Sequence, residues 1–133
     1  MQTPDGPSTR PLLRISFSPE SLPSVRRLVA GAAERARLGR QRSQDLVLVV
    51  DELASNSVMH GGGGGELALW SNAAGVLCEV RDRGHIADPL AGLRPPRPDR
   101  CDGRGLWVVG QLCEDVKISS SPGRTVVRAR VRR

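Results

Sequence analysis

The sequence predicts a two-layer α/β sandwich in which helices cover one face of a mixed, mostly antiparallel sheet. Hairpin-linked stretches with alternating apolar residues give the sheet, and stretches with apolar residues at helical spacing give the covering layer. A length of 133 residues allows one domain whose core needs neither disulfides nor a structural metal. Residues 1 to 11 read as a loose leader, because Pro4, Gly6, Pro7 and Pro11 stand among polar residues with little apolar surface to bury. Residues 12 to 133 read as the single domain.

The first strand is expected at Leu13, Ile15 and Phe17, which alternate with Arg14 and Ser16. Ser18-Pro19-Glu20 then opens a helix carrying Leu22, Val25, Leu28, Val29 and Ala32, with Pro23 delaying its start and Gly39 closing it. A second helix is expected from Ser43 to His60, with an apolar stripe of Leu46, Val49, Val50 and Leu53, and Gly61 to Gly65 stop it abruptly. Leu67 and Leu69, then Val76, Cys78 and Val80, alternate on either side of Ser71-Asn72-Ala73-Ala74-Gly75, which marks a hairpin. Residues 83 to 102 hold Pro89, Pro95, Pro96 and Pro98 among charges and read as an irregular loop, and so long a loop in a compact domain is usually functional. Helical spacing resumes from Gly103 to Leu112 through Leu106, Val109 and Leu112. Two last strands, Asp115 to Ser119 and Thr125 to Val131, are joined by Ser121-Pro122-Gly123.

Composition narrows the function classes. Phe17, Trp70 and Trp107 are the only aromatic residues, so the core must be built from Leu, Val, Ile and Ala. No apolar run approaches a membrane span, and no signal-peptide pattern opens the chain, so a cytoplasmic location without membrane attachment is expected. Cys78, Cys101 and Cys113 lack the paired spacing of a zinc site or a disulfide framework and read as free thiols. The net charge of +6 raises the question of nucleic acid, but arginines are scattered over every expected element and only Arg128, Arg130, Arg132 and Arg133 are dense. A direct nucleic-acid partner is not expected.

Four groups of residues could carry chemistry. Glu52 and Asn56 are four residues apart on the second helix, at the border of its apolar stripe, where a carboxylate can act as a base and an amide oxygen can ligate a hard cation. Asp82 ends the strand Val80-Arg81-Asp82, where it can accept a hydrogen bond from an exocyclic amine, and Gly84 lets a flat ring approach the backbone. Gly103-Arg104-Gly105-Leu106 lies where the loop becomes a helix, the place for an anion cradle with an arginine fork beside it. Thr125 opens the last strand, within reach of the same base as Asp82. Taken singly, each also fits a plain structural role: a solvated helix flank, a turn, a helix start and a strand threonine.

In combination, and in this order, the four groups resemble the nucleotide-binding boxes of the GHKL, or Bergerat-fold, superfamily over residues 12 to 131. The stretches DELASNSVMHG and GRGLWVVGQL resemble, within it, the anti-sigma-factor serine/threonine kinase branch and its small actinobacterial regulatory ATPases. The resemblance implies a histidine-kinase-like ATPase fold that binds ATP with Mg²⁺. Asn56 would ligate Mg²⁺, Asp82 would read the adenine amine, and Thr125 would assist through a water. Gly84, Gly103, Arg104, Gly105 and Leu106 would bound the nucleotide and its phosphates. Glu52 would be the catalytic base that receives the proton of a protein serine. At one position the chain departs from the family: Ile86 stands where a second glycine usually follows Gly84. His60 is expected to pack at the helix end.

The resemblance also implies partners: a sigma factor, an anti-anti-sigma protein of the STAS type as phosphoacceptor, and a second copy of the chain in a homodimer. With its 133 residues filled by the ATP-binding domain, a stand-alone regulator is expected instead of a complete histidine kinase. The competing expectation is a module of the same fold that captures its partners with little or no turnover of ATP.

Overall fold

The computed structural model describes residues 10–86 and 104–133. The element order is β1 (Leu13–Phe17), a 3₁₀ turn (Pro19–Ser21), α1 (Leu22–Arg35), α2 (Arg40–His60), β2 (Gly65–Asn72), β3 (Gly75–Asp82), α3 (Arg104–Leu112), β4 (Glu114–Ser121) and β5 (Arg124–Arg132). The five strands lie in the order β1-β2-β3-β5-β4, and every neighbouring pair is antiparallel. The parallel pair that a mixed sheet would need is therefore missing among the described residues.

The two layers meet as the apolar patterns require. On α2, Leu46, Val49, Val50, Leu53, Ala54 and Ser57 form one buried stripe, and on α1 Val25, Val29, Ala32 and Ala33 form another. They close over Leu67 and Leu69 of β2, Val76, Cys78 and Val80 of β3, and Val127, Ala129 and Val131 of β5. Leu106 and Val109 complete the core from α3.

The opposite face of the sheet carries charge. Glu79 is buried there between Arg81 and Arg128, each with Nε 2.6 Å from one of its carboxylate oxygens. Burial raises the pKa of Glu79, but hydrogen bonds and charge from the two guanidinium groups outweigh it and hold the carboxyl below its usual range. Arg14 lies over the Trp70 ring, 5.9 Å from its centroid.

Three helix boundaries differ from expectation. Gly39 does not close α1: the helix ends at Arg35, and Arg37 takes the left-handed conformation (φ 56°) that glycine usually supplies. The Arg37 N–H donates to Glu34 O and the Leu38 N–H to Ala33 O, which satisfies the last carbonyls of the helix. Gly39 instead caps the start of α2, whose first turn is closed by Ser43 N–H to Gly39 O, three residues before the expected start at Ser43. On the N-terminal side, Ser18-Pro19-Glu20 begins a separate 3₁₀ turn, and Pro23 falls in the first turn of α1. The expected leader and loop fall mostly outside the described residues.

Candidate functional site

A cavity of about 350 Å³ opens between α2, α3 and the ends of β3 and β5. Its apolar lining comes from Leu53, Val80, Ile86, Leu106 and Val127, and its polar lining includes Asn56, Ser57, Asp82 and Thr125. A mostly apolar cleft of this size with a few convergent polar groups suits a flat heteroaromatic ligand.

Sheet register assembles the polar wall. Asp82 of β3 is paired with Thr125 of β5, and Thr125 with Ser120 of β4, so Asp82 and two residues of the last hairpin form one row on the helix-facing side. The Asp82 carboxylate is held at both oxygens: Oδ2 accepts from the Ser57 hydroxyl at 2.7 Å and Oδ1 from the Gly84 N–H at 2.8 Å. Gly61 makes this possible, since a Cβ there would stand 2.3 Å from the Asp82 carboxyl carbon and Oδ2.

The helix side is equally close-fitting. A Cβ on Gly105 would stand 2.8 Å from Glu52 Oε2 and 3.2 to 3.3 Å from the Asn56 amide atoms. The first turn of α3 is thus laid directly against the Glu52–Asn56 side of α2, leaving a cradle that any side chain would fill. An amide oxygen and a carboxylate beside a helix start are suitable donors for Mg²⁺ with phosphate. These residues fit the group that the resemblance implies.

Glu52, Asn56, Asp82, Gly84, Gly105, Leu106 and Thr125 are all brought to this corner of the fold. Gly103 and the side chain of Arg104 lie outside the described residues, as do Cys101, Pro95, Pro96 and Pro98. His60 is not packed at the helix end as expected; it is exposed and lines the cavity together with His85. Sequence reasoning missed Ser57 and Ser120. Ser57 had a signal, a small polar residue on the apolar stripe of α2; Ser120 had none beyond its place in the last hairpin.

The family model of the histidine kinase-like ATPase domain matches residues 15–131, nearly the whole chain. The chain belongs to that family. Among solved structures, this histidine kinase-like ATPase domain is similar to the Acinetobacter baumannii histidine kinase AdeS, with a TM-score of 0.55 and 14% identity over 90% of this chain and 67% of that one. At that identity the likeness speaks for the fold alone. No curated protein matches the chain. Family membership places the domain in the GHKL superfamily and implies ATP binding, typically with Mg²⁺. None of the described helices is long and apolar enough to cross a membrane.

Proposed function

We propose that this ATPase domain is a cytoplasmic anti-sigma factor with serine/threonine kinase activity toward an anti-anti-sigma protein of the STAS type. The observation that carries the reading is the convergence of Glu52, Asn56 and Gly105 beside a cavity walled by Asp82 and Thr125. Asp82 and Thr125 would take the base, and Asn56 would hold Mg²⁺, which when bound neutralises phosphate charge. Glu52 would receive the proton of the acceptor serine hydroxyl as its oxygen bonds to the γ-phosphorus and the bond to the β,γ-bridging oxygen breaks, releasing ADP. Its place beside Gly105, at the start of α3, supports that role. Capture of a sigma factor and homodimer formation belong to the same proposal.

The C-terminal arginines favour a protein partner over nucleic acid. Arg128 is bonded to Glu79, Arg130 to Asp115 and Arg132 to Glu114, while Arg133 donates to the carbonyls of Asn72 and Ala36. Three of them are paired with carboxylates within the fold instead of forming an open stripe for phosphates.

A second reading, a partner-capturing module with weak turnover, is favoured by Ile86 at the second glycine position of the base pocket. Calorimetric titration with ATP and ADP, with and without Mg²⁺, tests the common ground. Mg²⁺-dependent binding lost in Asn56→Ala is the expected outcome, and no binding at millimolar nucleotide would sink the kinase reading. Glu52→Ala separates the two readings: it abolishes phosphate transfer to the antagonist and leaves capture intact if the kinase reading holds.

A further inference from the structure

The helix layer has a second concavity on its outward side. A groove of about 380 Å³ runs between α1 and α2, and Ala30, Val47 and Leu48 supply its apolar wall. Leu48 is 42% exposed, one of three large apolar side chains left so open among the described residues. Helical spacing puts it there: Arg40, Gln44, Leu48 and Asp51 recur along one side of α2, whereas Asn56 and His60, which line the cavity described above, lie on the other. One helix thus offers two separate surfaces.

The charge around the groove is mainly positive. Arg26, Arg27, Arg37 and Arg40 are exposed on the outward side of the two helices, against the carboxylates of Glu34 and Asp51. Asp51 is already bonded to Arg26 Nε at 2.7 Å, a pair that bridges the helices at one end of the groove. At the other end, where α1 turns into α2, Arg37 and Arg40 make no ion pair among the described residues. An apolar groove with free guanidinium groups at its end complements a helix that carries apolar residues at i, i+3, i+4 and i+7 and carboxylates on its flanks. A second copy of this chain would bring a net charge of +6 against the same arginines. A nucleic-acid duplex has no apolar side chains to fill the groove.

We propose that the α1–α2 groove is a docking surface for an acidic amphipathic helix of a partner protein, which seats apolar side chains against Ala30, Val47 and Leu48 and sets carboxylates opposite Arg37 and Arg40. The groove lies on the side of α2 turned away from Asn56, so the inference does not depend on the nucleotide reading.

The experiment titrates the full chain into a fluorescein-labelled helical peptide of about 18 residues, with leucine at i, i+3, i+4 and i+7 and glutamate on the flanks, and follows its anisotropy. Saturable binding is expected, weakened about tenfold or more by Leu48→Ser and about threefold or more by Arg37→Ser combined with Arg40→Ser. The arginine variant should also flatten the dependence on salt. A control peptide with lysine in place of glutamate should bind about tenfold more weakly or worse. If circular dichroism finds Leu48→Ser unfolded, Ala30→Glu takes its place, because it sets a carboxylate against the incoming glutamates, and binding must weaken again or the inference fails. No binding of the acidic peptide, equal binding of the lysine peptide, or binding that Leu48→Ser leaves unchanged overturns the inference. So does a chain that sediments as a dimer and becomes monomeric in Leu48→Ser, which assigns the groove to a second copy. Duplex DNA that displaces the peptide and itself loses affinity in Leu48→Ser overturns it as well.

Discussion

At Gly61 an added Cβ would stand 2.3 Å from the Asp82 carboxyl carbon, so the first residue after α2 sets how closely the helix end approaches the Asp82 carboxylate. Gly61→Ala should leave the fold intact by circular dichroism and displace Asp82, lowering ATP affinity by about tenfold or more as its hydrogen bonds are lost. Unchanged affinity would mean that Asp82 does not read the base. Glu79 gives a prediction with a pH dependence. Its pKa is held below the ordinary 4.5, so its stabilising contribution is fully present above that value and is lost as pH falls through the lower folded value. Glu79→Gln should therefore cost about 1–3 kcal/mol at neutral pH, with Arg81 and Arg128 partly solvated, and the gap to the parent should close on acidification below that range. A gap that stays constant on acidification, measured by urea unfolding, would contradict the assignment. At this scale the sequence already displayed Glu52, Asn56, Asp82, Gly105 and Thr125 as chemistry-bearing types at suggestive spacings. The partners of Asp82 were not legible, because Ser57 and Gly61 act on it only after α2 is laid beside β3.

The elements were legible to within a few residues, since period-2 and helical patterns do not depend on the rest of the fold. The miss at the α1–α2 junction has a local cause: Arg37, not a glycine, takes the left-handed position, and nothing in an arginine announces it. A left-handed residue other than glycine costs ~1–2 kcal/mol, and glycine returns ~0.5–1 kcal/mol of that through the entropy of the unfolded chain. Arg37→Gly is thus expected to stabilise the domain by roughly 0.5–1 kcal/mol, read as a higher urea midpoint. A lower midpoint would show that Arg37 is held by interactions that outweigh the strain. On α2, Leu46 is fully buried at the centre of the stripe. Leu46→Ala should cost about 2–5 kcal/mol in the same assay, in the upper part of the range if α1 cannot collapse onto the space.

For the molecule as a whole, the core between the layers is one continuous cluster reaching from α1 through α2 to β5, with Cys78 at 0% exposure within it. Burial pushes the Cys78 thiol far up and that of Cys113 up to about 12, so neither forms a reactive thiolate in the folded state. Alkylation mapped by mass spectrometry should find Cys78 modified only at the rate of global unfolding; faster modification would reveal a partial opening between the helix layer and the sheet. By itself, the sequence determined the two-layer class, the strand and helix faces and the residue types of the site, because these follow from side-chain periodicity and local turn chemistry. Only the tertiary structure decided the strand order β1-β2-β3-β5-β4, which inserts the last strand between β3 and β4. That order sets Asp82, Thr125 and Ser120 in one row, and the packing of α3 on α2 brings Gly105 against Glu52 and Asn56. Pairing of this kind joins segments about forty residues apart through backbone hydrogen bonds that every residue can make, so no local pattern encodes which strand lies beside which.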